Sequence, residues 1–423
     1  MSLLGNRVRR TEDPALLTGQ GRYVADFAPD NLAHAVFVRS IDPHGIINGI
    51  DTEEASALPG VIAVYTAADL DITPSPPSSR LVNQAMLRSS LATERVRFVG
   101  EPVAVVLAET HEQGVDAAEL VVVDIDPLTA VVNPNDALTD EILLHPEAGT
   151  NKAMTIPVEA DPDLFADCEV TVGLTFRNHR LSGAPIEPRA ALAEWTLEGD
   201  RLRLTQWSST QFPHAARDAL AAACGVDKAD VRVITPEVGG GFGAKNGSYP
   251  EDLVVALAAR KLERPVRWVE TRTECMLSLA HGRAVEFTAT LGGDRDGTLK
   301  AYKLHIVQDC GAHPIVGAVL PTLTRMVGTG VYTIPVIEIS ADSVVTNTVP
   351  VGAYRGAGRP EATHAIERMV DLFAAEIAMD PAELRRRNFI KPEDFPFTTP
   401  GGMVYDSGRY ADALDKVIAA IDI

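Results

Sequence analysis

Hydrophobic positions along this chain change period several times, and the changes mark out two α/β segments. Between about residues 20 and 140, β-type runs at 33–39, 61–65, 103–107 and 120–125 alternate with two helix starts. One helix is predicted to begin at Asp51, with Glu54 placed to complete a capping box, and to stop near Leu58-Pro-Gly60. The other begins at Thr110, with Gln113 in the same relation. Three prolines in Thr73-Pro-Ser-Pro-Pro-Ser-Ser79 cannot pair in a sheet, so this stretch is predicted to be an exposed loop. Residues 146–163, rich in proline, glycine and acids, read as an interdomain linker.

Beyond residue 164 the alternation resumes on a larger scale. Strands are predicted at 191–195, 201–205, 231–234 and 344–349, and helices at 215–223, 250–262 and 361–379. In the last of these, Ile366, Met369, Val370, Phe373 and Ile377 share one face, with Glu367, Arg368 and Asp371 off it. Residues 410–423 are helical in pattern and lack a glycine cap or a polar tail, which predicts that a partner chain or a further half covers their apolar face.

Charge and cysteine usage narrow the function classes. With 38 basic against 58 acidic residues the net charge is -20, which disfavours nucleic acid and anionic membrane as partners. No apolar run approaches the ~20 residues of a membrane span and the first residues do not resemble a secretory signal, so a cytoplasmic location is expected. Cys168, Cys224, Cys275 and Cys310 form no Cys-x-x-Cys pair, which leaves zinc ribbons, iron–sulfur clusters and a disulfide framework unsupported. The histidines form no His-Glu-x-x-His, and Gly-x-Ser-x-Gly is absent.

Chemistry concentrates in two glycine-bearing segments. Val238-Gly-Gly-Gly-Phe-Gly-Ala-Lys245 and Gly352-Ala-Tyr-Arg-Gly-Ala-Gly-Arg-Pro360 each set residues without a Cβ beside an aromatic and a cation. Such a backbone can approach an anionic ligand and offer it N–H groups, and together the segments are predicted to line one site for a bulky, charged cofactor. Gly239, Gly241 and Ala244 formally match the dinucleotide fingerprint, but Asn246-Gly-Ser-Tyr-Pro250 intervenes before the helix, and Lys245 has no P-loop context. Read alone, the first segment is also an ordinary glycine-rich strand-to-helix loop and the second a flexible loop with a solvated arginine. Gln211 sits at a loop-to-helix junction where its amide either makes a helix-start hydrogen bond or donates to a ligand oxygen, and His281-Gly-Arg283 is either an anion contact or structural.

In this order and spacing, Gln211, Gly239-Gly-Gly-Phe-Gly243, His281-Gly-Arg283 and Ala353-Tyr-Arg-Gly-Ala-Gly-Arg359 resemble the large, molybdopterin-binding subunit of the molybdenum hydroxylases. This is the xanthine oxidase, aldehyde oxidase and carbon monoxide dehydrogenase family. Gly19-Gln-Gly-Arg-Tyr-Val24, Leu58-Pro-Gly-Val61, Phe98-Val-Gly-Glu-Pro-Val103 and Gly183-Ala-Pro-Ile-Glu-Pro-Arg189 extend the likeness. The resemblance implies an α/β (α+β) fold, with an α/β hammerhead domain over 1–145 and the first of two molybdopterin-binding domains over 164–423.

It also implies a molybdenum-molybdopterin cofactor, with the cytosine dinucleotide as a candidate form. By the same resemblance Gln211, Gly240, Gly241, Phe242, Gly243, Arg355 and Gly356 bind that cofactor, and Gln211, Phe242 and Arg355 stand in the outer sphere of the metal. Asn246, Tyr354 and Ala357 face the substrate. No catalytic residue is expected in this chain; the base is expected in a second molybdenum subunit, with 2Fe-2S clusters on an iron–sulfur subunit and FAD on a flavin subunit. The chain departs from the family at three places: purine enzymes carry a glutamate at the position of Asn246 and a bulky aromatic at Ala357, and copper-type carbon monoxide dehydrogenases carry a cysteine at Gly356. The expected reaction is therefore hydroxylation of an aldehyde or N-heteroaromatic small molecule with water as oxygen source. The alternatives are a non-catalytic or truncated half-subunit that cannot hold the cofactor alone, and a dinucleotide-binding oxidoreductase.

Overall fold

A computed structural model describes residues 3–421, folded as two units, each assembled from separate stretches of chain. The first takes the chain up to Pro74, Ser89–Leu128 and Ala184–Ser278; the second takes Ser75–Arg88, Thr129–Gly183 and the chain from Leu279 onward.

Seven strands form the main sheet of the first unit, in the order Val231–Ile234, Arg201–Ser208, Ala190–Glu198, Val266–Val269, Ala33–Arg39, Pro102–Ala108 and Val61–Thr66. Ala33–Arg39 runs parallel to Val266–Val269 with Ala33 opposite Val266, so strands from distant parts of the sequence share one sheet. Pro102–Ala108 is buried at every position, which explains its uninterrupted apolar run. The helix Pro250–Leu262 buries Val254, Val255, Ala258 and Ala259 in the core around Trp268, and proline occupies its first turn, where no amide is needed.

The Thr110 capping box is present: Thr110 Oγ1 accepts from the Gln113 amide at 3.3 Å and Gln113 Oε1 from the Thr110 amide at 3.2 Å. The one expected at Asp51 is not. Asp51 ends the strand Gly45–Asp51 opposite Val122, and that pairing claims its backbone for a sheet; the helix is one turn, Glu53–Ser56, behind Thr52. Among the described residues the Asp51 carboxylate accepts only from the Glu53 amide, at 2.9 Å.

In the second unit five strands are ordered Lys152–Ile156, Val336–Val344, Leu299–Asp309, Val285–Gly293 and Val170–Asn178. The helix Arg359–Glu376 packs Ile366, Met369, Val370 and Phe373 onto them, while Ile377 lies just past its end. Lys152–Ile156, inside the stretch read as a linker, is an edge strand of this sheet. The strand expected at 344–349 instead ends at Val344. After it, Thr346 gives its hydroxyl to Asp309 at 2.7 Å and its amide to Gly311, so polar side chains draw the backbone out of the ladder. Residues 73–79 form the expected exposed loop, with Ser75 bridged to Arg88. The last helix is Tyr410–Ile421 and buries no residue; positions 422 and 423 of the predicted helix lie outside the described residues. Among the described residues no helix is long and apolar enough to cross a membrane.

One buried cluster ties the first unit together. The Arg189 guanidinium donates to Glu270 Oε1 at 2.5 and 2.9 Å, to Glu251 Oε2 at 3.1 Å and to Ser278 at 2.7 Å, and lies 4.1 Å from the centre of the Tyr249 ring. Arg39 reaches the other Glu251 oxygen at 2.8 Å and Glu274 at 2.9 Å. Burial pushes the Glu251 carboxyl up, but Arg189 and Arg39 outweigh it and bring it down to about 2. Its neighbour Asp252 has no cation in contact, so burial prevails and raises it to about 6, against hydrogen bonds from the Tyr249 amide and the Ser208 hydroxyl.

Two outcomes follow for stability. Because Asp252 holds its proton more tightly folded than unfolded, its contribution favours folding at low pH and is lost as pH rises from about 4 through about 6. Urea midpoints at pH 5 and pH 7 therefore fall more steeply for the native chain than for Asp252→Asn. In the second unit, Phe373→Ala empties a fully buried site and is expected to lower stability by ~3–5 kcal/mol, read from urea unfolding.

Candidate functional site

Gln211 is held at the end of a polar staircase. Leaving the strand Arg201–Ser208, the Ser209 amide donates to the Ala190 carbonyl at 3.1 Å and its hydroxyl accepts from the Ala190 amide at 2.9 Å. Buried Thr210 donates its hydroxyl to the Gly247 carbonyl at 2.9 Å, and the Gln211 amide donates to the Lys245 carbonyl at 2.8 Å. Helix Pro213–Cys224 then starts with proline in its first turn and ends at Gly225, whose φ of 65° serves as the C-cap.

The glycine loop folds against this junction. Gly240, Phe242 and Gly243 have φ of 103°, 56° and 95°, so the backbone turns repeatedly through the left-handed region. The Gly243 amide donates to Gln211 Oε1 at 2.8 Å, which assigns the carboxamide: Oε1 is occupied and Nε2 remains to donate. A Cβ on Gly241 would lie 2.5 Å from Gln211 Oε1, so the glycine makes the room in which that side chain lies. The Ala244 amide donates to the Gly241 carbonyl at 2.8 Å, and Tyr249 donates its hydroxyl to the Ala244 carbonyl at 2.5 Å. No acceptor among the described residues takes the amides of Gly240, Gly241 and Phe242 or the Asn246 carboxamide. Phe242 is 41% exposed.

Lys245 corrects the expectation that each loop presents a cation. It is 1% exposed and turns inward to Glu187 Oε2 at 2.8 Å, the same oxygen that accepts from the Gly239 amide at 2.7 Å. Burial pushes the ammonium below its ordinary value against the pull of Glu187. Sequence reasoning missed Glu187 as a partner of the loop. The available signal was a lone lysine in an apolar, glycine-rich stretch, which needs a carboxylate from elsewhere once buried.

In the second unit Tyr354, Arg355, Gly356 and Ala357 form a tight turn before the helix Arg359–Glu376. Gly356, Ala357 and Gly358 have φ of 105°, 47° and 85°, and the Ala357 amide donates to the Tyr354 carbonyl at 2.8 Å. The Arg355 side chain is exposed and has no partner among the described residues. Arg283 takes the structural alternative: it is buried, and its guanidinium donates to the carbonyls of Tyr354 at 3.2 Å and Arg355 at 2.9 Å and pairs with Glu361 at 2.9 Å.

The first unit thus brings Gln211, Gly240, Gly241, Phe242, Gly243 and Asn246 together, and the second brings together Tyr354, Arg355, Gly356 and Ala357. The first unit offers loop amides, two carboxamides and the Phe242 ring, and the second offers the Tyr354 ring and the Arg355 guanidinium. Among the described residues no group of three or more His, Cys, Asp or Glu is arranged to hold a metal ion. The amides and carboxamides of the first unit suit an anionic group that brings its own metal ligands.

The family model of the molybdopterin cofactor-binding domain matches residues 144–389, and that of the aldehyde oxidase and xanthine dehydrogenase a/b hammerhead domain matches residues 18–129. The nicotine 6-hydroxylase large subunit of Paenarthrobacter nicotinovorans is 36% identical over 430 residues, covering 100% of this chain and 52% of that protein. The crystal structure of quinoline 2-oxidoreductase from Pseudomonas putida 86 superposes with a TM-score of 0.93 at 34% identity, covering 100% of this chain and 54% of that one. The chain therefore spans about half the length of these two relatives. The nicotinate dehydrogenase large molybdopterin subunit of Eubacterium barkeri is 28% identical over 391 residues, covering 91% of this chain and 89% of that protein. With these matches on both segments, the chain belongs to the molybdenum hydroxylase large-subunit family, carrying its α/β hammerhead domain followed by its molybdopterin-binding domain.

Proposed function

We propose that this chain is the molybdenum-binding subunit of a cytoplasmic, multi-subunit oxidoreductase that hydroxylates an aldehyde or N-heteroaromatic substrate with water as the oxygen source. The observation that carries the proposal is the Gln211 carboxamide, whose Oε1 is fixed by the Gly243 amide at 2.8 Å so that Nε2 is left as a donor beside three unused loop amides. A molybdenum-molybdopterin cofactor fits: it needs hydrogen-bond donors and close backbone rather than protein ligands to the metal, and a Cβ at Gly241 would fill the space. When bound, such a cofactor supplies two-electron oxidation coupled to oxygen transfer from water.

Gln211, Gly240, Gly241, Phe242 and Gly243 would hold the cofactor from the first unit, with Gln211 donating to developing negative charge and Phe242 excluding water. On the second unit Arg355 and Gly356 are assigned as cofactor contacts, Arg355 because its guanidinium is unspent. Asn246, Tyr354 and Ala357 would face the substrate. An uncharged Asn246 and a small Ala357 favour an apolar ring or aldehyde over a purine, in keeping with the nicotine and quinoline enzymes among the relatives. Glu187, the carboxylate joined to the glycine loop, spends Oε2 on Lys245 and the Gly239 amide, while its buried Oε1 has no partner among the described residues. By the family resemblance, the base is assigned to a second molybdenum subunit, accompanied by an iron–sulfur subunit with 2Fe-2S clusters and an FAD subunit. Support for such a division comes from the nicotinate dehydrogenase subunit, matched over 89% of its own length. Along the sequence, we take 1–145 as the hammerhead module, 146–163 as a connector that also lends the edge strand Lys152–Ile156 to the second unit's sheet, and 164–423 as the first cofactor module.

Gentle purification from the host is expected to give about one molybdenum per chain, with a second large polypeptide alongside. Intact complex without molybdenum would favour a non-catalytic half-subunit. In the loaded complex, Gln211→Ala is expected to lower kcat by ~10²–10³-fold. Gly241→Ala, which pushes the Gln211 side chain aside, should lower kcat in the same direction with an unchanged urea midpoint. Normal turnover in both variants would remove the donor role of Gln211.

A further inference from the structure

We infer that Arg283 is a positioning residue: it fixes the backbone of the loop that carries Arg355, and thereby aims a guanidinium that it does not itself touch. The inference rests on the reading of Arg355 as a cofactor contact for its consequence, but not for its geometry.

The stretch 281–284 is built as a staple for residues 350–355. The His281 amide donates to the Pro350 carbonyl at 3.0 Å, and the Gly352 amide donates to the His281 carbonyl at 2.7 Å. Next to it, a Cβ on Gly282 would lie 2.3 Å from Tyr354 Cβ, so only glycine lets the two backbones come this close. Arg283 then completes the run, donating Nη1 to the Tyr354 carbonyl at 3.2 Å and Nη2 to the Arg355 carbonyl at 2.9 Å. Its guanidinium also lies 5.0 Å from the centre of the Tyr354 ring. A planar fork matches two successive carbonyls; an ammonium cannot reproduce it.

The backbone at this staple is held in a conformation that side chains rarely adopt. Arg283 and Ala284 have φ of 62° and 58°, and the carbonyls on either side are clamped: Gln308 Nε2 donates to Arg283 O at 2.9 Å, and the Asp309 amide to Ala284 O at 3.0 Å. Strain of this kind persists where the surroundings over-determine it, and such sites cluster where geometry serves function. Glu361, in the first turn of the helix Arg359–Glu376, balances the buried charge through Oε1 while its other oxygen has no partner among the described residues. One cation therefore locks the loop to the start of the helix that follows it. Arg355 lies between these fixed points with its own side chain exposed and uncommitted.

The test uses Arg283→Lys in the full complex, because lysine keeps the charge for Glu361 and loses the fork; Arg283→Ala would strand a buried carboxylate. Hydrogen exchange at Ala357, whose amide closes the turn, is expected to accelerate ~10-fold or more, with exchange at buried Met369 and Val370 unchanged. Native protection at Ala357 in this variant would overturn the inference. In the loaded complex Arg283→Lys should lower kcat alone and add nothing on top of Arg355→Ala; full additivity would show that Arg283 does not act through Arg355 and would equally overturn it. Normal turnover of Arg355→Ala alone would sink the cofactor reading of Arg355, and the exchange data would still decide whether Arg283 fixes the loop.

Discussion

A guanidinium sealed away from water must have every donor met, and the first unit is arranged around meeting those of Arg189. Its partners come from just past one strand, the first turn of a helix and the last residue of another helix, through Glu270, Glu251 and Ser278. The same cluster reaches the glycine loop indirectly. Tyr249, under the Arg189 guanidinium, donates to the Ala244 carbonyl, and Asp252, next to Glu251, accepts from Ser208 just ahead of Gln211. A buried network of this sort adds little net stability compared with apolar packing. Its effect is on uniqueness, because few arrangements satisfy all its members and those few keep Gln211 in place.

Both glycine loops follow one logic. Each shows its exposed side as unspent donors and keeps a charge pair behind it, Lys245 with Glu187 in one and Arg283 with Glu361 in the other. A loop of residues lacking side chains has little packing to hold it, so strong, directional bonds from buried ions replace what side chains would supply. The division of labour frees the outer amides for a ligand without leaving the loop loose.

What could be read from the sequence was what is local. Thr110 and Gln113 are three residues apart and the helix 250–262 has its proline start in plain view, so both were legible. Gln211 was legible as a junction residue because Pro213 and Gly225 bracket the helix after it. The failures are all long-range. Asp51 reads as a cap until Val122 takes it into a sheet, and Thr346 reads as strand until Asp309 takes its hydroxyl. Lys245 reads as a ligand-facing cation until Glu187 arrives from far upstream. Periodicity carries no record of a partner so far away, whereas the motif resemblance carries it implicitly, as a whole pattern.

The parallel pairing of Ala33–Arg39 with Val266–Val269 has a consequence for how the chain is made. During synthesis the early strands emerge long before their neighbour, and until residue 266 leaves the ribosome one edge of Ala33–Arg39 stays open. Open edges recruit other strands, and contacts between distant residues form late and slowly. Completion of this sheet is therefore late, because Ala33–Arg39 has Pro102–Ala108 on one side early but gains its second neighbour only with Val266–Val269.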